Sequence, residues 1–600
     1  MSQKSPRSIG EMRRRPGLTM EVEHAESAGK TLRRLWGYFA GEHVMLLRIA
    51  AAVVAGTFCQ LLGPAMQSRA IDSIAGTGSA SLSKSVLLML LFYILSSLCA
   101  LGQGILSGKL SQRIVRTLRG ELFGKIIDLP VSYLDRHSHG DVMSRMTNDV
   151  ENVSQTVSQA LPTLCSGALT IVGTALMMCL YSLPLALLSL STVLLTVAIT
   201  RRMSLVVRRT SRERQRILGA LNGQAEELIS GYRTVKAFGR EEAAFSEMAG
   251  VSDELTKAGI RADVLSGIMG PAMNAVNNLG FIVIAAFGGY FAFTGRISVG
   301  VISAFIVYAR QFGRPVNELA QVYGQIQTAI AAAERVFRVL DEEAEDQGGA
   351  ELEKMEAAEV RFEHVDFSYV PDVPVLRDFS LSVAPGRKVA LVGATGSGKT
   401  TVVNLLERFY DPDGGRILLN GQDLSGCSRR SLRSQMAIVL QETVLFSGTV
   451  RENLLYGCPE RSEEEIRDAL AMSCFDKVVE NLPRGLDTVL TPGGSLSAGE
   501  RQLLVIARAF LQRPRVLILD EATSNVDTRT EKAIQDAMHE LMQGRTSIII
   551  AHRLSTIRNA DLIAVLDHGQ LVESGTHEQL LERKGRYRQL YETQLSGSST

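Results

Sequence analysis

Between residues 44 and 317 the chain carries six apolar stretches, near 44–71, 84–107, 158–182, 184–202, 268–294 and 297–317. Each approaches the roughly 20 residues needed to cross a hydrocarbon layer about 30 Å thick. Inside such a layer every backbone N–H and C=O must be satisfied within the chain, so these stretches are expected to be helices. The third and fourth are separated only by Ser182-Leu183-Pro184, which requires a tight hairpin. Loops 72–83 and 294–297 are short and carry little positive charge, whereas 109–157 and 203–264 are long and rich in Lys and Arg. The excess of cations places both long loops and both termini on the cytoplasmic side.

The long loops have helical periodicity of their own. Leu110, Ile114, Leu118, Leu122, Ile126 and Ile127 recur among charges at the spacing of one helix face, so the membrane helices are expected to continue into the cytoplasm. Each excursion reverses through a short segment, 129–135 in the first and about 230–238 in the second, and either could touch a cytoplasmic domain. Residues 1–40 are polar, with Lys4, Arg7, Arg13, Arg14 and Arg15 but no apolar core behind them, so the start is expected to stay inside. Residues 31–40 set aromatic and apolar groups beside Arg33 and Arg34, a pattern that suits an interfacial helix or an ordinary soluble one.

Six hundred residues with a formal charge of +1 and a pI near 7.6 imply several domains and give no electrostatic case for nucleic acid. The average conceals an apolar first half and a charged α/β second half. The seven cysteines show no paired or metal-ligand spacing and read as small apolar fillers in a reducing compartment. Within the spans Gln60, Gln103, Asn274, Asn277 and Asn278 stand out, and Asn274 and Asn278 lie one turn apart. They can line a translocation path or serve as interhelical hydrogen-bonding glue. No Asp or Glu lies deep in a span, which weakens the case for a proton-coupled carrier.

The division expected is an N-terminal segment at 1–40, a six-span domain at 41–335, an exposed acidic linker at 336–355 and an α/β domain at 356–600. In that last domain an apolar strand at 389–392 runs into Gly393-Ala394-Thr395-Gly396-Ser397-Gly398-Lys399-Thr400, which fits G-x-x-x-x-G-K-[ST]. Glycines let successive backbone N–H groups turn towards a triphosphate, the following helix adds its positive end, Lys399 bridges the β- and γ-phosphates, and Thr400 is placed to ligate Mg²⁺. A second landmark, Val516-Leu517-Ile518-Leu519-Asp520-Glu521, is a buried strand ending in two carboxylates, at the edge where α/β sheets bind ligands.

With both in place, residues 356–592 resemble the nucleotide-binding domain of an ATP-binding cassette transporter. The resemblance rests also on Gln441 in Val439-Leu440-Gln441-Glu442, on Leu496-Ser497-Ala498-Gly499-Glu500, on His552 in Ala551-His552-Arg553-Leu554-Ser555, and on Tyr369. Behind six spans, it makes the whole chain after about residue 30 similar to an exporter half-transporter. The fold implied is a six-helix all-α transmembrane domain with long cytoplasmic extensions, followed by an α/β P-loop cassette. By the same resemblance, Tyr369 stacks on adenine and Gly393 through Thr401 cradle the phosphates. Thr400, Gln441 and Asp520 hold Mg²⁺, Glu521 takes the proton of the attacking water, and His552 meets the γ-phosphate. Ser497 and Gly499 would serve a nucleotide held mainly by a partner cassette.

The signature segment departs from the family's L-S-G-G-Q at Ala498 and Glu500. A methyl group near phosphate and a possible anion near a triphosphate point to an asymmetric heterodimer in which this chain supplies the competent catalytic base. Glu500 also opens a helix, where a carboxylate is favourable for local reasons, and a homodimer remains the alternative. The resemblance implies ATP-driven export, from a bacterial inner membrane, of an amphipathic drug, lipid or peptide. An ATP-gated receptor or channel is the rival reading.

Overall fold

The computed structural model describes residues 28–76, 81–353, 357–440, 443–491, 496–521, 528–551 and 554–597. The chain forms two compact units, one of Met1–Ile127 with Ser138–Glu342, the other of Asp128–His137 with Glu343–Thr600.

The helices are α1 (Ala28–Ala40), α2 (His43–Ile74), α3 (Leu82–Ile127), α4 (Val131–Arg136), α5 (His139–Ser144), α6 (Val150–Tyr181), α7 (Leu183–Ser230), α8 (Tyr232–Ala237), α9 (Glu241–Phe293) and α10 (Val299–Asp341). All but α4 belong to the first unit. Helices α3, α7 and α9 run far beyond any membrane span, as the periodicity of the long loops requires. Pro184, in the first turn of α7, starts that helix directly after the Ser182 break. Among the described residues five helical stretches are long and apolar enough to cross a membrane: 43–74, 82–127, 139–181, 183–230 and 241–293. The sixth expected span lies in α10 and falls short of that criterion, because its apolar run ends at Arg310 and Gln311, with Arg314 a turn further on.

Two partly buried contacts tie α2 to α10. Pro64 interrupts the ladder of α2, and Tyr308 of α10 donates its hydroxyl to the Leu61 carbonyl at 2.8 Å. At the other end of α2, the Asp72 carboxylate accepts from the Gly300 N–H at 2.8 Å and the Ser298 hydroxyl at 2.7 Å, capping a helix that has no side-chain cap of its own. Gly300 is obligatory there, since a Cβ would stand 2.2 Å from the Ser68 carbonyl oxygen.

The second unit has strands β1 (Val360–Phe367), β2 (Leu376–Val383), β3 (Lys388–Val392), β4 (Gly414–Leu419), β5 (Gln422–Asp423), β6 (Met436–Val439), β7 (Gly448–Thr449), β8 (Val489–Leu490), β9 (Val516–Glu521), β10 (Thr546–Ala551), β11 (Leu562–Asp567) and β12 (Gln570–Gly575). Its main sheet has the order β12-β11-β3-β10-β9-β6, parallel except for β12, and an antiparallel sheet β2-β1-β4-β5 lies in the same unit. The alternation of strand side chains divides the core. Val389, Leu391, Ile518 and Ile548 face a cluster that includes the antiparallel sheet, while Ala390, Val392, Leu519 and Ile549 face a cluster that includes Leu503, Ile506 and Ile534. Each such Leu or Ile contributes about 1.5–3 kcal/mol of burial, so the strand ends that carry the phosphate motifs are rigidly held.

Asp341, Glu342, Glu343 and Asp346 of the acidic stretch are exposed, and Glu345 alone among its carboxylates is not. Helix α10 continues to Asp341, and Glu345 is only 11% exposed, held by a two-oxygen pair with Arg433 at 2.7 and 2.8 Å. Arg429 donates to the Asp346 carbonyl at 2.6 Å, and Leu352 is buried in the core of the second unit.

Candidate nucleotide site

The strand β3 ends at Val392, and helix α11 (Lys399–Leu406) begins inside the motif, so the loop between them is fixed at both ends. Two glycines are demanded by space and conformation. A Cβ on Gly393 would lie 2.3 Å from the Leu566 carbonyl oxygen and 2.6 Å from Ser397 Oγ. Gly398 has φ +103° and would press a Cβ to 2.8 Å from Leu376. Gly396 also has positive φ, and the loop of Ala394, Thr395 and Gly396 is exposed.

Lys399 is buried, and its ammonium donates to the carbonyls of Gly393 at 2.8 Å and Ala394 at 3.0 Å. Burial pushes its pKa down, and the carboxylate of Asp520 opposes the shift. That mutual influence places Asp520, from β9, beside the loop from β3, with β10 between the two strands. The Ser397 hydroxyl is buried with no hydrogen-bond partner among the described residues. A polar group orphaned inside a glycine-built cradle beside a buried lysine fits a triphosphate, whose oxygens accept such donors. The exposed Thr400 hydroxyl and the Asp520 carboxylate are the hard oxygen donors that would hold Mg²⁺, a charge that neutralises the phosphate oxygens.

Tyr369 follows β1, and its hydroxyl donates to Thr401 Oγ1 at 3.2 Å while accepting from Asn404 Nδ2 at 3.0 Å. Its ring meets Phe367 and Tyr410 edge to face, with centroids 4.8 and 5.0 Å away. Tyr410 in turn donates to Asp135, on α4, at 2.6 Å, and the Glu345 N–H donates to the Asp128 carbonyl at 2.7 Å. A continuous set of contacts therefore runs from α4 through Tyr410 and Tyr369 to Thr401 in the first turn of α11. The reversal segment 129–135 does touch the nucleotide-binding domain. In the second excursion, Ile229, Tyr232 and Phe238 are all more than half exposed.

Tyr410 and Asn404 were not singled out from sequence. Asn404, one turn beyond Thr400, was within reach of helical spacing. Nothing local ties Tyr410 to a carboxylate 275 residues away.

Helix α12 (Ala498–Gln512) starts at the signature segment. Ser497 Oγ accepts from the Glu500 N–H at 3.3 Å, and the Glu500 carboxylate accepts from the Ser497 N–H at 2.7 Å, a reciprocal cap. Glu500 is thus occupied by its own helix start. Among the described residues no hydrogen bond joins Ser497 or Gly499 to the loop 393–401. Gln441 and His552 lie outside the described residues, as does the side chain of Glu521, whose backbone pairs with Ala551 at the end of β9.

Comparison with known proteins agrees in order and extent. Residues 46–316 match the family model of the ABC transporter transmembrane region, and residues 376–524 match the family model described as ABC transporter. The chain is 43% identical over 578 residues to an uncharacterized ABC transporter ATP-binding protein, YfiC, of Bacillus subtilis, covering 95% of each. It is 45% identical over 525 residues to a fatty acid ABC transporter ATP-binding/permease protein of Mycobacterium bovis, covering 86% of this chain and 82% of that one. It is 35% identical over 577 residues to the ATP-dependent lipid A-core flippase of Escherichia coli, covering 95% of this chain and 98% of the flippase. With a phosphate cradle, a multi-pass helical unit and relatives along nearly its full length, the chain belongs to the ABC transporter family and is an exporter-type transport ATPase.

Proposed function

We propose that this chain couples hydrolysis of ATP to export, or movement between leaflets, of an amphipathic substrate by alternating access. The observation that carries this reading is the contact set from Asp135 through Tyr410 and Tyr369 to the phosphate loop, because it gives nucleotide occupancy a physical route to the segment that connects α3 to α6. Lys399, Ser397 and the loop amides hold the phosphates, Thr400 and Asp520 hold the metal, and Glu521 takes the proton from water. Gln441 and His552 complete the site around the γ-phosphate. Related proteins named for fatty acid transport and for lipid A-core flipping support a lipid-like cargo.

The working unit is a dimer of half-transporters in a plasma membrane, the bacterial inner membrane by analogy, with termini and cassettes in the cytoplasm. Exposed Ile229, Tyr232 and Phe238 are available to a partner subunit. Ala498 favours the asymmetric heterodimer, in which this chain supplies Glu521 to the hydrolytic site. The homodimer draws support from Glu500, whose carboxylate is accounted for by helix capping. Expression of this chain alone separates the two: an asymmetric pair predicts weak, unstimulated ATPase that appears only with the partner. Robust substrate-stimulated ATPase from a purified homodimer rejects asymmetry. In either assembly Lys399→Ala must impair productive ATP binding.

A further inference from the structure

We infer that a cavity among α7, α9 and α10 selects the head of the cargo by charge, binding a monoanion through Arg310. The inference rests on the transport reading above and adds the chemical class of the substrate.

The cavity has a volume of about 470 Å³, and its polar lining comprises Thr196 and Thr200 of α7, three asparagines of α9 (274, 277 and 278), and Arg310, Arg314 and Glu318 of α10. They lie between about 16 and 28 Å along their helices from the ends at Val299, Leu183 and Phe293. At 1.5 Å per residue, Arg310 is about 16 Å along α10 from Val299, and Asn278 about 22 Å along α9 from Phe293. Thr196 is about 20 Å along α7 from Leu183. These values place the polar groups between the middle of a hydrocarbon layer about 30 Å thick and its cytoplasmic half.

A cation at that depth is costly and is retained for function or for an ion pair. Arg314 has such a pair, with Glu318 at 2.8 Å. Among the described residues Arg310 has no carboxylate partner. Its guanidinium lies 4.7 Å from the Phe281 ring centroid, a contact that aims the group without neutralising it. Two cations and one carboxylate line the cavity, so the balance is one uncompensated positive charge.

The neighbours sort themselves by hydrogen-bonding role. Thr196 and Thr200 spend their hydroxyl protons on the carbonyls of Thr192 and Thr196, at 2.9 and 2.8 Å, and present only lone pairs. Asn274, Asn277 and Asn278 are exposed and make no interhelical hydrogen bond among the described residues, so their amide N–H groups remain available. Available donors are therefore the amides and the guanidinium, the set that holds an oxyanion. Val193, Val197 and Phe281 give the same cavity an apolar wall for the start of a tail. A single excess charge suits a carboxylate or a phosphodiester, and Glu318 disfavours a dianionic head.

The test uses the full chain copurified with its partner, in phosphatidylcholine nanodiscs. Probes share one oleoyl tail: oleate, oleoyl-lysophosphatidylglycerol and neutral monoolein. Equilibrium binding of each labelled probe is measured without ATP, then stimulation of ATPase. The inference predicts at least about tenfold tighter binding of an anionic probe than of monoolein, the scale of one charge-assisted hydrogen bond. Oleate preferred over the phosphodiester identifies a carboxylate head, and the reverse a phosphodiester. Arg310→Ala should collapse the anionic-to-neutral ratio to near unity, and Arg310→Lys should keep most of it. The ratio is internal to each variant and does not depend on its turnover. Equal binding of anionic and neutral probes by the unaltered protein overturns the inference, as does a ratio that survives Arg310→Ala. Charge-selective binding with no ATP-driven movement of any probe would instead overturn the transport reading and leave the site standing.

Discussion

Replacing Tyr410 with Phe removes one hydrogen bond and leaves the ring in its edge-to-face contacts with Phe367 and Tyr369, at 5.5 and 5.0 Å. The lost bond, Tyr410 to Asp135, joins the cassette to α4. A hydrogen bond to a carboxylate contributes about 1.5–3 kcal/mol where water is excluded. Asp135 is exposed, so solvent screening lowers the expected value to about 1 kcal/mol. If that bond is made only in the state coupled to nucleotide, its loss shifts the coupled equilibrium by about fivefold. The assay is amphiphile-stimulated ATPase of the reconstituted transporter for Tyr410→Phe, Asp135→Asn and the double variant. Each single change should lower the stimulated rate about fivefold, and the double should be no worse than the more severe single, because both remove the same bond. Two losses that multiply, or a Tyr410→Phe protein indistinguishable from the original, would refute the coupling route.

Two further outcomes follow from buried groups. Gly393→Ala forces a Cβ against Leu566 and Ser397, so the loop must open, and ATP affinity measured with a fluorescent nucleotide should fall at least about tenfold. Retained affinity would mean that the cradle reshapes freely. Burial raises the Glu407 carboxyl from 4.5 to about 7, with Arg433 opposing. A raised carboxyl pKa contributes stability below the unfolded value, and that stability is lost as pH rises through about 7. Glu407→Gln should therefore stabilise the protein at about pH 8, by at most about 3 kcal/mol, and bring little at about pH 5. Thermal denaturation at both pH values checks this, and an equal effect at each would contradict it.

The parts legible in sequence are those written in short spacing. The strand, glycine loop and lysine at 389–400 form one local pattern, and β3 and α11 fall where that pattern puts them. The spans are legible because an apolar run of membrane length has few other uses, and α10 was the hard case because Arg310 interrupts its run. Arg310 is visible in sequence as a cation inside an expected span, whereas its contact with Phe281 exists only once α9 and α10 are packed. Glu345 was read as part of an exposed acidic stretch because its partners, Arg429 and Arg433, lie more than 80 residues away. Glu500 needed the helix start in three dimensions before its carboxylate could be assigned to the Ser497 N–H.

The central claim is that hydrolysis drives transport. It is tested most directly in proteoliposomes carrying the full transporter, by following a labelled amphiphile against its gradient with the original protein and with Glu521→Gln. The account predicts ATP-dependent uphill accumulation by the original, and ATP binding with no accumulation by Glu521→Gln. Flux that runs only downhill and is opened equally by a non-hydrolysable ATP analogue, or accumulation undiminished in Glu521→Gln, would contradict it.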